Sequence, residues 1–317
     1  MSRRHLAMLL ALAAIWGASF MFIKVAVREL SPAMLIAGRL GLAALTLALL
    51  LPFAVGVGET ARELRENAGW LVVVALVNTA APFWLLSWGE TRIDSGLASI
   101  IQATVPIFNA VIAFVAFREV RVTGVRLVGV AVGFVGVALL VGAQPEGKVL
   151  GALAVVGMAF CYGIGGLLAG RHLAAVPPIV VAFAATAIST LAALPAAVVQ
   201  APSDVPSWKA IASVVALGVP GTAIAYLLFF GLITGAGAAY ASLVTYLIPP
   251  LALAYGAIFL GERFGATAFG GLALILGGVA LGTGAVALRA PAARSLPGGN
   301  PVSPGSPLAR LTRFSRK

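Results

Sequence analysis

Charge is scarce in this sequence, and that scarcity decides its solvent. Only 10% of the residues are charged and 61% are hydrophobic, with a mean hydropathy of +1.06. A soluble domain carries roughly 25% charged residues, because its outside must face water. A water-soluble fold is therefore excluded, and lipid must bathe most of the chain. Cysteine is rarer still. Cys161 stands alone, which rules out an intramolecular disulfide and a cysteine-based zinc site. The two histidines, His5 and His172, fall in the N-terminal tail and a short loop, and neither joins a nucleophile or a metal cluster. An intramembrane enzyme would need one or the other. No GxxxxGK[ST] loop is present for ATP, nor is there a sizeable polar domain to pass on a signal. These absences leave a transporter without a cofactor, ahead of an enzyme or a sensor.

The acids are outnumbered, ten against 21 basic residues. A net charge of +11 would suit nucleic acid if it were spread over a folded surface. Instead Arg289, Arg294, Arg310, Arg313, Arg316 and Lys317 concentrate it in a tail without acids, and no nucleic-acid partner is expected. That tail, 288–317, is rich in Pro, Gly and Ser and is read as a disordered, basic cytoplasmic segment.

Apolar runs then account for the rest. Breaks of charge, Pro and Gly separate ten of them at 6–26, 32–52, 69–88, 96–117, 124–142, 149–169, 178–199, 208–230, 237–260 and 267–287. Each approaches the roughly 20 residues that a helix needs to cross a bilayer. The first is longer than a signal-peptide core of about 7–15 residues and is expected to be retained as a span. With the N-terminus in the cytoplasm, fourteen basic residues fall on the inner side and six on the outer, Arg39 being the remaining one. This bias predicts a multi-pass protein of the inner (plasma) membrane with both termini cytoplasmic.

The second half repeats the first. At an offset of 143, Thr79-Ala80 falls on Thr222-Ala223, Ser99 on Ser242, Pro106 on Pro249 and Glu119 on Glu262. At 142, Gly129 falls on Gly271 and Gly136-Val137-Ala138-Leu139 on Gly278-Val279-Ala280-Leu281. Two copies of five spans, 1–142 and 149–287, would cross the membrane in opposite senses. The expected fold is an all-α membrane protein of ten helices in two inverted five-helix repeats, an architecture suited to alternating access.

Trp16-Gly17-Ala18-Ser19-Phe20, Gly221-Thr222-Ala223-Ile224-Ala225-Tyr226 and Tyr246-Leu247-Ile248-Pro249-Pro250, leading to Leu260-Gly261-Glu262-Arg263, carry a resemblance. In this order and twice over, the chain resembles the EamA branch of the drug/metabolite transporter superfamily across residues 6–287. The first copy has Phe117-Arg118-Glu119 in place of the fuller Leu-Gly-Glu form. The resemblance implies transport of metabolites, often amino acids or related compounds, and frequently outward.

Polar groups inside spans are the candidate site. Arg39 leads, because an arginine at mid-membrane costs about 2.5–3.5 kcal/mol and must face the bundle or a wet cavity. No Asp or Glu falls inside the spans as drawn, which leaves helix carbonyls or a solute carboxylate to satisfy it and argues against a carboxylate proton relay. Trp16, Asn78, Gln102, Tyr162, Tyr226 and Tyr246 are the other expected lining residues, each equally open to plain interhelical packing. Pro106 and Pro249, at matching places in the two copies, are the expected hinge. Glu119 and Glu262 read as helix-end caps or gate ion pairs. Gly129-x-x-x-Gly133 fits a homodimer or packing within one chain. The expected partners are a small solute and the lipid bilayer.

Overall fold

The computed structural model describes residues 2–117 and 124–282. Glu119, Arg118, Arg121 and the tail 288–317 lie outside these residues. No strand occurs among them, and the chain runs from helix to helix. Helix α1 spans Arg3–Ala26, α2 Pro32–Ala54, α3 Val57–Glu66 and α4 Ala68–Ala75, which passes through a π-helical segment (Leu76–Ala80) into α5 (Ala81–Glu90). Next come α6 (Ser95–Gln102), α7 (Val105–Phe117), α8 (Gly124–Gly142), α9 (Glu146–His172) and α10 (Pro178–Val199). The second half continues with α11 (Trp208–Gly218), a second π-helical segment (Val219–Ile224), α12 (Ala225–Ala236), α13 (Ala238–Ala241), α14 (Val244–Leu260) and α15 (Ala266–Gly282).

Eight helical stretches among the described residues are long and apolar enough to cross a membrane, and α14 and α15 are shorter apolar helices. Local chemistry starts and stops them. Ser2, Ser31 and Ser207 cap α1, α2 and α11 by accepting the amides of His5, Met34 and Ala210, each at 3.3 Å. Proline sits in the first turn of α2 and of α10, where its missing N–H costs nothing. The turn between α12 and α13 is made at Gly237, whose φ of 94° favours a residue without a Cβ.

The connection 53–68 is not a plain loop. It carries α3, a polar helix whose Leu64 packs on a cluster formed by Leu51, Leu71 and Val180. The breaks in the fourth and ninth runs fall at 103–104 and 242–243, upstream of Pro106 and Pro249, and Pro249 is buried inside α14. Pro220 lies within the second π-helical segment and Pro82 just after the first, so the wider turn absorbs the lost hydrogen bond.

Packing is built on helix pairs. α8 lies along α15, α2 along α10, α1 along α14 and α9 along α5 and α7. Between α8 and α15 the backbones touch at Gly129 and Gly278, where any Cβ would run into the other helix. The largest core cluster joins Leu12, Ile23, Ile100, Met158, Leu217 and Ile275 from both halves. Outside, Leu49, Phe53, Leu191, Val199 and Ile258 stand exposed on uncharged helix faces. Such a surface is tolerable only against lipid. The protein is a multi-pass membrane protein.

Candidate functional site

Arg39 is buried, at 6% exposure, on the inner face of α2 with Ile36, Leu40, Ala43 and Leu47. Its Nε donates to Thr222 Oγ1 at 3.0 Å. Thr222 is held in place by the π-turn, since its hydroxyl donates in turn to the Leu217 carbonyl, 2.8 Å away. The guanidinium lies over the Phe83 ring, with Cζ 4.4 Å from the centroid. A cation over an aromatic face is stabilised without being neutralised. No ion pair forms on Arg39 among the described residues, and its two terminal nitrogens have no acceptor there. The buried side-chain atoms without a partner are the two Glu90 oxygens and Asn109 Oδ1, so the free edge of the guanidinium is not sealed off. A planar fork with two free N–H pairs matches a carboxylate.

Two expected residues share this place. Tyr162 of α9 and Tyr226 of α12 both lie near Arg39. Tyr162 packs against the cluster of Ile36, Leu40, Phe83 and Ala193, and Tyr226 lies 6.1 Å from Phe230, ring to ring. An apolar recess of about 220 Å³ opens between α2, α5 and α10, lined by Ile36, Ala80, Ala81, Trp84, Ala192 and Ala193.

The other expected residues are placed elsewhere. Trp16 stacks at a tilt on Phe229, 5.4 Å away, and Asn78 packs against Gly165. Gln102 ends α6, and Tyr246 packs on the main core. All four are half-buried. No hydrogen bond, ring contact or electrostatic interaction joins any of them to Arg39.

A second polar cluster closes the end of the bundle where α1, α5 and α14 finish. Glu90 is fully buried at the last residue of α5, which corrects the expectation that no carboxylate lies within a span. The helix runs two residues past the expected boundary at 88, through Gly89 to Glu90. Lys24 Nζ donates to the carbonyls of Glu90 and Ile93, both at 2.7 Å. Glu262 caps a helix, though not its own. Its carboxylate accepts from Ser95 N at 2.8 Å, Ser95 Oγ at 2.9 Å and Gly96 N at 3.1 Å, at the start of α6. Glu29 accepts from Ser207 N at 2.7 Å and Ser207 Oγ at 2.6 Å, and these donors, the hydroxyl first, hold its carboxyl below the ordinary range. Asp94 and Lys148 approach to 3.8 Å. Glu29–Ser207, Ser95–Glu262 and Asp94–Lys148 each tie the first half of the chain to the second.

Thr222 and Phe83 were not singled out as site residues. Thr222 had one sequence signal, its place in the repeated Thr-Ala pair, whereas Phe83 is one aromatic in an apolar run.

The EamA-like transporter family profile matches residues 4–142 and again 149–283. A probable terminal-alkyne amino-acid exporter of Streptantibioticus cattleyicolor is 28% identical over 250 residues, covering 78% of this chain and 82% of that protein. An uncharacterized transporter of Archaeoglobus fulgidus is 27% identical over 266 residues, 82% of this chain and 92% of its own length. The uncharacterized inner membrane transporter YedA of Escherichia coli is 26% identical over 264 residues, with 81% of each chain covered. A solved crystal structure superposes with a TM-score of 0.62 at 20% identity, covering 89% of this chain and 97% of its own, and so shares the fold.

Proposed function

We propose, for a chain that belongs to the EamA-like transporter family, that it carries a small metabolite bearing a carboxylate across the membrane by alternating access. An amino acid or related compound moved outward fits best. The observation that carries the reading is the unsealed guanidinium of Arg39, held by Thr222 and Phe83 and facing Tyr162 and Tyr226. A solute carboxylate would take its free edge, and an apolar side chain the recess lined by Ala80 and Trp84. The exporter named from Streptantibioticus cattleyicolor supports both the substrate class and the direction.

Ten spans in two inverted five-helix repeats complete the proposal, with α14 and α15 as the last two and both termini cytoplasmic. Three features support it. The π-helical segments begin at Leu76 and Val219, 143 residues apart, which is the offset of the repeat. The pairings α1 with α14 and α9 with α7 are counterparts under that offset, as are α1 with α12 and α9 with α5. Two family matches fall on the two halves. Pro106 and Pro249 are proposed as the hinge, and Trp16, Asn78, Gln102 and Tyr246 as residues lining the wider path.

Exchange of labelled L-amino acids, assayed as a panel in proteoliposomes, tests the function. Counterflow of at least one amino acid, lost in Arg39→Ala, is the expected result. Counterflow of none in the wild type would sink the substrate class.

A further inference from the structure

Glu90 has no role in the solute site proposed above, yet its burial is costly. It has no exposed surface, and neither carboxyl oxygen has a hydrogen-bond partner. A carboxylate shut away from water without donors is severely penalised, whereas a neutral carboxylic acid is far cheaper to enclose. The charged groups facing it are Lys24 from α1, Arg39 from α2 and Glu262 from the turn after α14. None of them satisfies it. The Lys24 ammonium is turned to the Glu90 and Ile93 carbonyls, and the Glu262 carboxylate is taken by the start of α6. On the neighbouring loop Asp94 lies 3.8 Å from Lys148, and α9 packs on Gly89 through Gly151 and Val155.

We propose that Glu90 is a proton-binding site that latches this end of the bundle. With its proton the carboxyl can be sealed, and the ties Glu29–Ser207, Ser95–Glu262 and Asp94–Lys148 close over it. Opening this end wets the carboxyl, which then releases its proton to the solution there. The same proton, or another from that side, must be regained before the end can close. Acid therefore favours the closed end and alkali the open one. The latch rests on the alternating-access reading, but its test needs no solute.

The test uses the full-length protein in lipid nanodiscs, with Cys161→Ser and spin labels at Thr91→Cys and Val205→Cys. These positions are exposed on opposite halves at this end. Pulsed electron paramagnetic resonance reads the distance between them. One proton released on opening changes the open-to-closed ratio about tenfold per pH unit across the titration. The distribution should therefore lengthen between about pH 5.5 and about pH 8.5. Glu90→Gln, a mimic of the neutral acid, should stay short at both. Glu90→Met, which has no side-chain N or O, should behave alike and serves if the Gln variant fails to fold. A wild-type distance that ignores pH, or neutral variants that still lengthen with pH, would overturn the latch. Failure of amino-acid counterflow with this pH response intact would instead count against the substrate reading alone.

Discussion

Arg39 and Thr222 are 183 residues apart in the chain, and Arg39 Nε lies 3.0 Å from Thr222 Oγ1. The bond joins α2 of the first half to the π-turn of the second. It fixes one edge of the guanidinium and leaves the other free. The proposed solute site would thus draw on both halves, and a movement of one against the other would reshape it.

Removing the fork should remove transport without unfolding the protein. Arg39→Ala leaves Thr222 bonded to the Leu217 carbonyl, so no new buried hydroxyl is stranded. A charged hydrogen bond contributes about 1.5–3 kcal/mol, which predicts a fall in apparent affinity of at least about tenfold. Arg39→Lys should recover only part of it, because the planar fork is lost. Counterflow and thermal melting measured together would show wild-type melting with impaired transport. A variant that melts early would mark Arg39 as structural.

Thr222→Val keeps the shape of the side chain and deletes the acceptor. Affinity should fall by about 1–3 kcal/mol, since Nε loses its partner and the guanidinium its aim. Thr222→Ser should stay close to wild type. Equal affinities for Val and Thr would remove the residue from the site.

Crowding the contact of α8 with α15 should cost stability. Gly278→Val places atoms where the Gly133 backbone lies. Overpacking of this kind costs about 1–3 kcal/mol or more and should lower the melting temperature in detergent. Unchanged melting would show that the two helices can separate freely.

The Glu29–Ser207 tie has a pH signature. Its donors depress the Glu29 carboxyl, so its stabilisation is present above the unfolded value, about 4.3, and is lost as pH falls through the lower folded value. Melting temperatures of wild type and Glu29→Gln should differ at neutral pH and converge under acid. A gap that persists in acid would mean that the tie acts through packing.

Orientation is open to a direct check. Reporter fusions near Arg171 and after Ala290 should give a cytoplasmic signal, and one near Asp204 an outside signal. The same side for 171 and 204 would break both the span assignment and the inverted repeat.

Much of this protein follows from composition and periodicity. Lipid is the solvent because too few charges exist to cover a globule, and the long helices follow from the length of uninterrupted apolar sequence. The breaks expected at 143–148 and 234–237 contain the joints between described helices, which fall at 143–145 and at Gly237. The burial of Arg39 was legible for the same reason, since one full charge amid apolar residues has to be turned inward.

Its partners were not legible. Thr222 and Phe83 meet Arg39 through helix packing, and no local pattern states which faces of distant helices will touch. Trp16 and Tyr246 looked alike in sequence to Tyr162 and Tyr226, but the latter two stand near the guanidinium, whereas Trp16 stacks on Phe229 and Tyr246 packs on the main core. Glu90 turned on two residues of helix length, because a charge next to a turn reads as solvated until its neighbours are known. Sequence by itself settled the solvent, the helices and the one charge that must be enclosed. Tertiary structure alone decided which hydroxyl aims that charge and which carboxyl is shut away with no donor, because both depend on contacts between segments far apart in the chain.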